Sequence, residues 1–149
     1  MNKSILACLV SLLVLQLNAQ EFKTSDPNDI SLFPQQNDFR NALNISGIWK
    51  FKKDTAAVGE KEQWYNGLTN SQPIAVPGSW NEQLEDSRDY MGLVWYEQNS
   101  YVPVVWRSQR VFIRVGSANY AAKVWINGKP VGRHEGGHLP FAFDITAFL

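Results

Sequence analysis

Short apolar runs alternate with turn residues along most of the chain, and this pattern predicts β-strands. The clearest example is residues 110–115, in which Val111, Ile113 and Val115 share one face, as in a half-buried strand. Only Glu60 to Leu68 could form a helix, and that helix would be short. Strands at this spacing, without long helices between them, predict an all-β antiparallel sandwich. The predicted strands span residues 45–51, 73–76, 93–97, 110–115, 121–126, 130–134 and 141–145.

The strongest local signal is the pair Asn127-Gly128, which lies between two of these apolar runs. Both central positions of a two-residue hairpin turn need a positive φ, which asparagine and glycine adopt more easily than other residues. Pro130 has no N–H to donate, so its strand should begin there or lie at a sheet edge. The sequence therefore predicts a β-hairpin over residues 121–134.

The first residues of the chain have the organisation of an export signal. Lys3 supplies a positive charge, Ile5 to Leu15 is a mostly apolar run, and Ala19 is a small residue suited to cleavage before Gln20. The run is shorter than the roughly 20 residues that span a bilayer, which argues against the alternative of a permanent membrane anchor. Residues 1–19 are therefore predicted to be a signal peptide of bacterial type, and the mature protein is expected to be periplasmic or secreted.

Removal of this segment also removes Cys8, the single cysteine, so no disulfide is expected in the mature chain. Residues 20–44 contain clustered turn residues and little periodicity, and they are predicted to form an extended lead-in. The ordered body is predicted to span residues 45–149. A total of 149 residues suits one such domain.

Composition and charge limit the classes of molecule that this chain is expected to bind. Hydrophobic residues make up 44% of the chain and charged residues 19%, which is typical of a globular protein. The formal net charge is zero, so there is no electrostatic reason to expect nucleic acid or an anionic membrane as a partner. The aromatic content of 13% favours strands and also suits surfaces that contact sugars.

The run from His134 to His138 reads His-Glu-Gly-Gly-His, which matches the H-E-x-x-H pattern of zinc metalloproteases. That chemistry needs both imidazoles on one helix face, one turn apart. Gly136 and Gly137 would each cost such a helix about 0.8–1.0 kcal/mol relative to alanine, and Pro140 follows at once. The run is therefore interpreted as a glycine-rich loop after the hairpin, and neither a metal nor another cofactor is expected.

The carboxylates give no clear catalytic pair of the kind that glycoside hydrolysis uses. Glu97 and Asp144 stand among apolar residues and are expected to accept hydrogen bonds from the backbone at strand ends. Ser79 lacks the second glycine and the following helix of a nucleophile elbow. The other carboxylates considered lie in polar segments and are expected to be solvated: Asp38, Asp54, Glu60, Glu62, Glu82, Glu85, Asp86 and Asp89.

Several blocks of the chain, in order, resemble the amino-terminal domain of family 2 glycoside hydrolases. The Trp-x-Asn-Gly hairpin occurs across that family, and His-Glu-Gly-Gly followed by Leu-Pro-Phe is most similar to its β-glucuronidases. Position 138 departs from this pattern, since the family often has tyrosine where this chain has His138. The resemblance covers residues 31–149 and is carried by residues 32–35 and 43–51, 62–65, 76–81, 92–97 and 114–144.

The resemblance implies a jelly-roll β-sandwich of the galactose-binding-domain type, packed in the full-length enzyme against an immunoglobulin-like domain and a TIM barrel. The family's catalytic glutamates lie on the barrel, so no catalytic residue is assigned here and the chain alone is expected to be inactive. On this reading residues 45–149 are a partial jelly roll, incomplete at the carboxyl end. A homo-oligomer stays open for the full-length form.

The implied activity is hydrolysis of terminal β-glucuronides, or of β-galactosides, with retention. His134, Glu135 and His138 are the candidate binding residues, on a loop that would face the substrate or a neighbouring domain. One alternative is a stand-alone carbohydrate-binding module with exposed tryptophans, although Trp49, Trp95 and Trp125 fall where cores are built. A zinc peptidase is the other alternative.

Overall fold

The computed structural model describes residues 21–24, 34 and 36–149. The signal peptide expected at 1–19 lies outside these residues, as does part of the lead-in. Strands dominate, and each strand predicted from the sequence overlaps an observed one. They are β1 Lys23–Thr24, β2 Gly47–Lys53, β3 Gln72–Val76, β4 Val94–Glu97, β5 Phe112–Val115, β6 Ala121–Ile126, β7 Lys129–Glu135 and β8 Phe141–Asp144.

The strands form three small sheets, with the orders β1-β7-β6, β3-β2-β4 and β5-β8. All pairings are antiparallel except that of β1 with β7, where Lys23 lies opposite Gly132. The all-β prediction is confirmed. Strand β1 was not expected, because two residues carry no periodicity that could reveal it. None of the helices in the described ranges is long and apolar enough to cross a membrane.

Two apolar cores hold these sheets together. The larger lies between the β6–β7 hairpin and the β5–β8 pair, and its buried members are Val111, Val131, Phe141, Phe143 and Ile145. Val111, Ile113 and Val115 all pack into it, as the period-2 pattern predicts. The smaller core forms on one face of the β3-β2-β4 sheet. There the ring of the fully buried Phe51 stands 6.2 Å from that of Trp80 and 5.2 Å from that of Tyr96.

The predicted hairpin is confirmed. Asn127 and Gly128 have φ values of 51° and 76°, so both central residues of the turn are left-handed. Pro130 is the second residue of β7 and lies opposite Trp125, next to an irregularity in the pairing where its missing N–H does least harm. The Asn127 amide also donates to the carbonyl of Phe148 at 2.8 Å, which ties the turn to the end of the described chain.

The expectation that Glu60–Leu68 could form a short helix is wrong. The segment forms turns and one 3-10 turn at Trp64–Asn66, and the left-handed φ of 55° at Gln63 interrupts any regular helix. Within residues 36–149 the structure has one short α-helix, α1, which spans Trp80–Gln83 and was not predicted. Ser79 caps it, because its hydroxyl accepts a hydrogen bond from the Asn81 amide at 3.2 Å. In the same part of the chain, 3-10 turns also span Glu85–Ser87, Val104–Trp106 and Thr146–Phe148.

Candidate functional site

The His-Glu-Gly-Gly-His run forms a strand end and a loop. His134 and Glu135 are the last residues of β7, and Gly136 then adopts a φ of 139°, a conformation that favours glycine. The two histidines therefore do not share a helix face, which confirms the interpretation of this run as a loop. In the part of the chain that the structure describes, no group of three His, Cys, Asp or Glu side chains is arranged to hold a metal ion.

The three candidate binding residues face different surroundings. His134 is only 5% exposed, and its ring stacks on that of Phe141 with 4.3 Å between centroids. Its Nε2 atom lies 3.2 Å from the carbonyl oxygen of Gly136. Glu135 and His138 are exposed. The contacts of His134 are those of a core residue, whereas Glu135 ends β7 and His138 lies in the loop that follows, both exposed. A role for any of the three in sugar binding stays a prediction.

Two loops meet at this end of the sandwich, residues 116–120 and residues 136–140. The Gly136 amide donates to the Tyr120 carbonyl at 2.9 Å, and the Ser117 hydroxyl donates to the Gly137 carbonyl at 2.6 Å. A Cβ at Gly137 would lie 2.5 Å from Oδ1 of Asn119, so any other residue there would displace the Asn119 side chain. We call these two loops together the rim. It exposes Tyr120, His138 and Leu139, a mixture of aromatic, polar and apolar groups.

Glu97 and Asp144 lie at strand ends and accept backbone hydrogen bonds, as predicted. Burial alone raises the pKa of Glu97, but hydrogen bonds from Lys50 and the Leu68 amide outweigh it and hold that pKa below its ordinary value. The hydroxyl and amide of Thr146, followed by Arg110, lower the pKa of Asp144. A general acid needs a carboxyl that is still protonated near neutral pH, so neither group suits that role.

Asp54 corrects one sequence-based expectation, because it is buried and not solvated. Its side chain is 4% exposed and accepts from the Val58 amide at 2.8 Å, the Gly59 amide at 2.8 Å and the Trp95 indole at 3.0 Å. Burial raises the pKa of Asp54, yet these three hydrogen bonds together bring it below its ordinary value. The sequence could not reveal this, since Trp95 lies 41 residues further along the chain.

Five aromatic rings join the two larger sheets next to Asp54. The ring centroids of Trp95 and Trp125 are 4.9 Å apart, Trp64 packs edge-on against Trp95 at 6.1 Å, and Tyr65 stacks on Trp125 at 5.7 Å. Phe22, from the lead-in, meets Trp125 at 5.0 Å. We call this set the aromatic cluster. Its tryptophans are half-buried against one another, so neighbouring rings cover part of each one.

A shallow groove lies where β2, β3 and the end of β4 meet, lined in part by Ile48, Gln72 and Asn99. Its two charged side chains, Lys50 and Glu97, form an ion pair with 2.8 Å between Nζ and Oε1. Because these groups already bond to each other, the groove offers a ligand mainly amide and hydroxyl groups and the apolar surfaces of Ile48, Trp49 and Pro73.

Comparison with known proteins identifies the fold. Residues 42–149 match the family model described as glycosyl hydrolases family 2, sugar binding domain. The chain is 43% identical over 118 residues to a β-glucuronidase of Paenibacillus borealis, covering 77% of this chain and 20% of the relative. It is 39% identical over 130 residues to the β-glucuronidase of Canis lupus familiaris, covering 79% and 20%.

Solved structures agree with this similarity. The crystal structure of Ruminococcus gnavus β-glucuronidase superposes with a TM-score of 0.76 at 37% identity, covering 79% of this chain and 20% of that one. The described jelly-roll elements thus correspond to one part of a much larger carbohydrate-acting enzyme, and the chain spans about a fifth of the length of these relatives. The chain belongs to glycosyl hydrolases family 2, and residues 42–149 are the amino-terminal sugar-binding domain of a β-glucuronidase-like member.

Proposed function

We propose that this chain is the non-catalytic front domain of an exported glycosidase that removes terminal β-glucuronic acid with retention of configuration. The observation that carries the proposal is the β7 end and rim loop, His-Glu-Gly-Gly-His-Leu-Pro-Phe, within a chain 39–43% identical to β-glucuronidases. In this role the domain supports the catalytic part and shapes the mouth of its site. Two exposed residues, Glu135 at the end of β7 and His138 on the rim, are the groups that would face the substrate or a neighbouring domain.

The ionisation of four described carboxyls supports a non-catalytic role. Asp54, Asp86, Glu97 and Asp144 all have lowered pKa values, so each is ionised at neutral pH. Retaining hydrolysis needs one carboxyl with a raised pKa as the acid, next to a carboxylate nucleophile about 5 Å away. As the resemblance to family 2 enzymes implies, the acid and the nucleophile are expected on the TIM barrel of the full-length enzyme.

The test is an assay of two proteins, this chain and the product of the reading frame continued past Leu149. The longer product should hydrolyse a chromogenic β-glucuronide faster than the matching β-galactoside, and this chain should hydrolyse neither. NMR of the first sugar released should detect the β anomer. Faster hydrolysis of the galactoside would change the assigned substrate from β-glucuronides to β-galactosides. Sugar binding by this chain, with no hydrolysis by the longer product, would favour a stand-alone binding module.

Export is tested separately. Expression of the gene with its own leader should release a protein whose first residue is Gln20, because cleavage is expected after Ala19. Sequencing the amino terminus of the periplasmic or secreted protein checks this. An intact leader on protein held in the membrane would contradict it.

A further inference from the structure

The chain contains two Asn-Gly pairs, Asn66-Gly67 and Asn127-Gly128, and the fold brings them together. The first pair lies at the end of the 3-10 turn Trp64–Asn66, and the second forms the tip of the β6–β7 hairpin. The side-chain oxygen of Asn66 lies so close to Gly128 that a Cβ there would clash with it. Both asparagines are exposed. The two pairs therefore share one surface and the same solvent, but they differ in their hydrogen bonds.

Asparagine is a thermolabile residue, and an asparagine followed by glycine can lose its amide in a reaction within the chain. The backbone nitrogen of the glycine gives up its proton to solvent base and attacks Cγ of the asparagine, and Nδ2 takes up a proton and leaves as ammonia. Water then opens the five-membered succinimide ring at one carbonyl or the other, which gives aspartate or isoaspartate. Glycine favours the attack because it has no side chain that crowds its nitrogen. The reaction consumes one water and involves no oxidation or reduction.

The attacking nitrogen is free at the hairpin and hydrogen-bonded at the other pair. Among the described residues, the N–H of Gly128 donates to no acceptor. The N–H of Gly67 instead donates to the carbonyl of Trp64 at 3.0 Å. A nitrogen whose proton is held in a hydrogen bond is slower to lose that proton and to turn towards Cγ. In the folded protein, Asn127 is therefore expected to react faster than Asn66.

One contact restrains the side chain of Asn127. Its amide donates to the carbonyl of Phe148 at 2.8 Å. Phe148 is itself held in the 3-10 turn Thr146–Phe148, where its N–H donates to the carbonyl of Ile145 at 2.9 Å. Cγ of Asn127 can reach the nitrogen of Gly128 only when this contact opens and the left-handed turn rotates. The bond to Phe148 therefore limits the reaction, and the amide that makes this bond is the group that the reaction removes.

We propose that Asn127 is a site of spontaneous deamidation, and that its conversion disconnects the hairpin turn from the turn Thr146–Phe148. A carboxylate has no hydrogen to donate and is ionised at neutral pH, so aspartate at this position would repel the carbonyl oxygen of Phe148. Isoaspartate also adds a carbon atom to the main chain, which a two-residue hairpin turn does not accommodate. Because the change is irreversible, the modified form accumulates as the protein ages.

The experiment uses Asn66 as the control within the same molecule. The folded chain is incubated at mildly alkaline pH, and samples are digested with trypsin and measured by mass spectrometry with peptide fragmentation. Cleavage after Lys123 and Arg133 gives a peptide in which Asn127 is the one asparagine. An isoaspartyl methyltransferase detects the isoaspartate product. A parallel incubation in guanidinium chloride removes the fold and gives the rate of each pair in the unfolded chain.

In the folded protein, Asn127 should be converted at least about five times faster than Asn66, because one fewer hydrogen bond must open. In guanidinium chloride the two rates should be similar, since the same dipeptide reacts. Thr146→Ala removes the hydroxyl that donates to Asp144 and accepts from the Val111 amide, so it should loosen the turn and raise the rate at Asn127. The ratio of this rate to that at Asn66 distinguishes the local effect from a general loss of stability.

The consequence of the reaction is tested with Asn127→Asp, which should lower the thermal midpoint by at least about 2 °C. The matched control Asn66→Asp, at an exposed amide that donates to Gln63 at 3.2 Å, should change it by less than about 1 °C. Should Asn127→Asp fail to fold, the rates in the parent protein still decide the proposal.

Equal rates at the two asparagines in the folded protein, or faster conversion of Asn66, would overturn the proposal. So would an intact Asn127 in the folded protein under conditions that convert it in guanidinium chloride. An unchanged ratio of rates in Thr146→Ala, or equal midpoints for Asn127→Asp and the parent, would also overturn it, because the contact with Phe148 would then neither limit the reaction nor be lost through it.

Discussion

The β6–β7 hairpin and the 54–68 segment are both held by networks of hydrogen bonds, but only the hairpin could be predicted from its own residues. In the hairpin, the Asn127-Gly128 turn and the apolar runs on either side act locally, so the sequence contains the whole signal. The 54–68 segment is organised around the buried carboxylate of Asp54, whose third donor is the indole of Trp95 on β4. Local patterns reveal structure that local contacts build, and they miss structure that depends on a distant partner.

Among these predictions, substitution of Asp54 should cause the largest loss in the free energy of unfolding. Asp54→Ala removes the acceptor for the Val58 and Gly59 amides and for the Trp95 indole, which leaves buried donors without a partner. We expect a loss of about 3–4 kcal/mol in the free energy of unfolding, given about 1.5–3 kcal/mol for a hydrogen bond to a charged group and partial access of water afterwards. Urea unfolding measures it. The exposed Asp38 is the control, and Asp38→Ala should change the stability by less than about 0.5 kcal/mol.

The hairpin is tested at Gly132, where β7 passes close to β8. A Cβ at this position would lie 2.3 Å from the ring of Phe143, so Gly132→Ala overpacks the larger core. The expected cost is about 1–3 kcal/mol by the same unfolding measurement. Gly116 is the matched control, because a Cβ there meets nothing within 4 Å. Equal costs at the two glycines would contradict the close packing of the hairpin on β8.

The pH dependence of stability distinguishes the 54–68 segment, which contains the buried Asp54, from the β6–β7 hairpin. Because the pKa of Asp54 in the folded state lies below its ordinary value of 3.8, its contribution is present above that value and is lost as the pH falls through the folded-state pKa. Asp54→Asn should therefore flatten the acid side of a plot of unfolding free energy against pH. Glu97 and Asp144 also have lowered pKa values, so part of the slope should remain. An unchanged slope would indicate that Asp54 is solvated.

Addition of zinc should have the smallest effect on stability among these predictions. His134 lies in the larger core at the end of β7, and His138 is exposed on the rim, so the two imidazoles do not share a helix face. Addition of Zn²⁺ or of a chelator should leave the thermal midpoint unchanged within error, and metal analysis of the purified protein should detect less than stoichiometric zinc. A midpoint that rises with one equivalent of zinc would contradict the loop geometry and revive the peptidase alternative.

The fold class, strands β2 to β8 and the hairpin could all be predicted, since alternation and turn residues act over a few positions. Helix α1 had a signal that was not used, because Ser79 and Glu82 stand three apart, as in a capping box. Its exact position depends on a contact outside the helix. The Gln83 amide bonds to both the N–H and the C=O of Ala75 on β3, and no pattern within residues 79–83 indicates this.

The candidate site was predicted only in part. The glycines of the rim mark a loop in the sequence, and Gly136 has the φ that requires glycine. The sequence does not distinguish the three residues beside them, although His134 packs on Phe141 while Glu135 and His138 are exposed. In β7, alternation places the side chains of His134 and Glu135 on opposite faces of the strand. Which of these faces is buried depends on β8, which follows later in the chain and supplies Phe141.

Hydrogen exchange followed by NMR is the most direct test of the central claim, that the aromatic cluster and the hairpin belong to one cooperatively folded sandwich. The indole N–H of Trp95 and the amide of Gly59 should exchange as slowly as the paired amides of β6 and β7, because both require global unfolding. Exchange of the Trp95 indole at the rate of exposed loop amides, while the hairpin stays protected, would contradict that account.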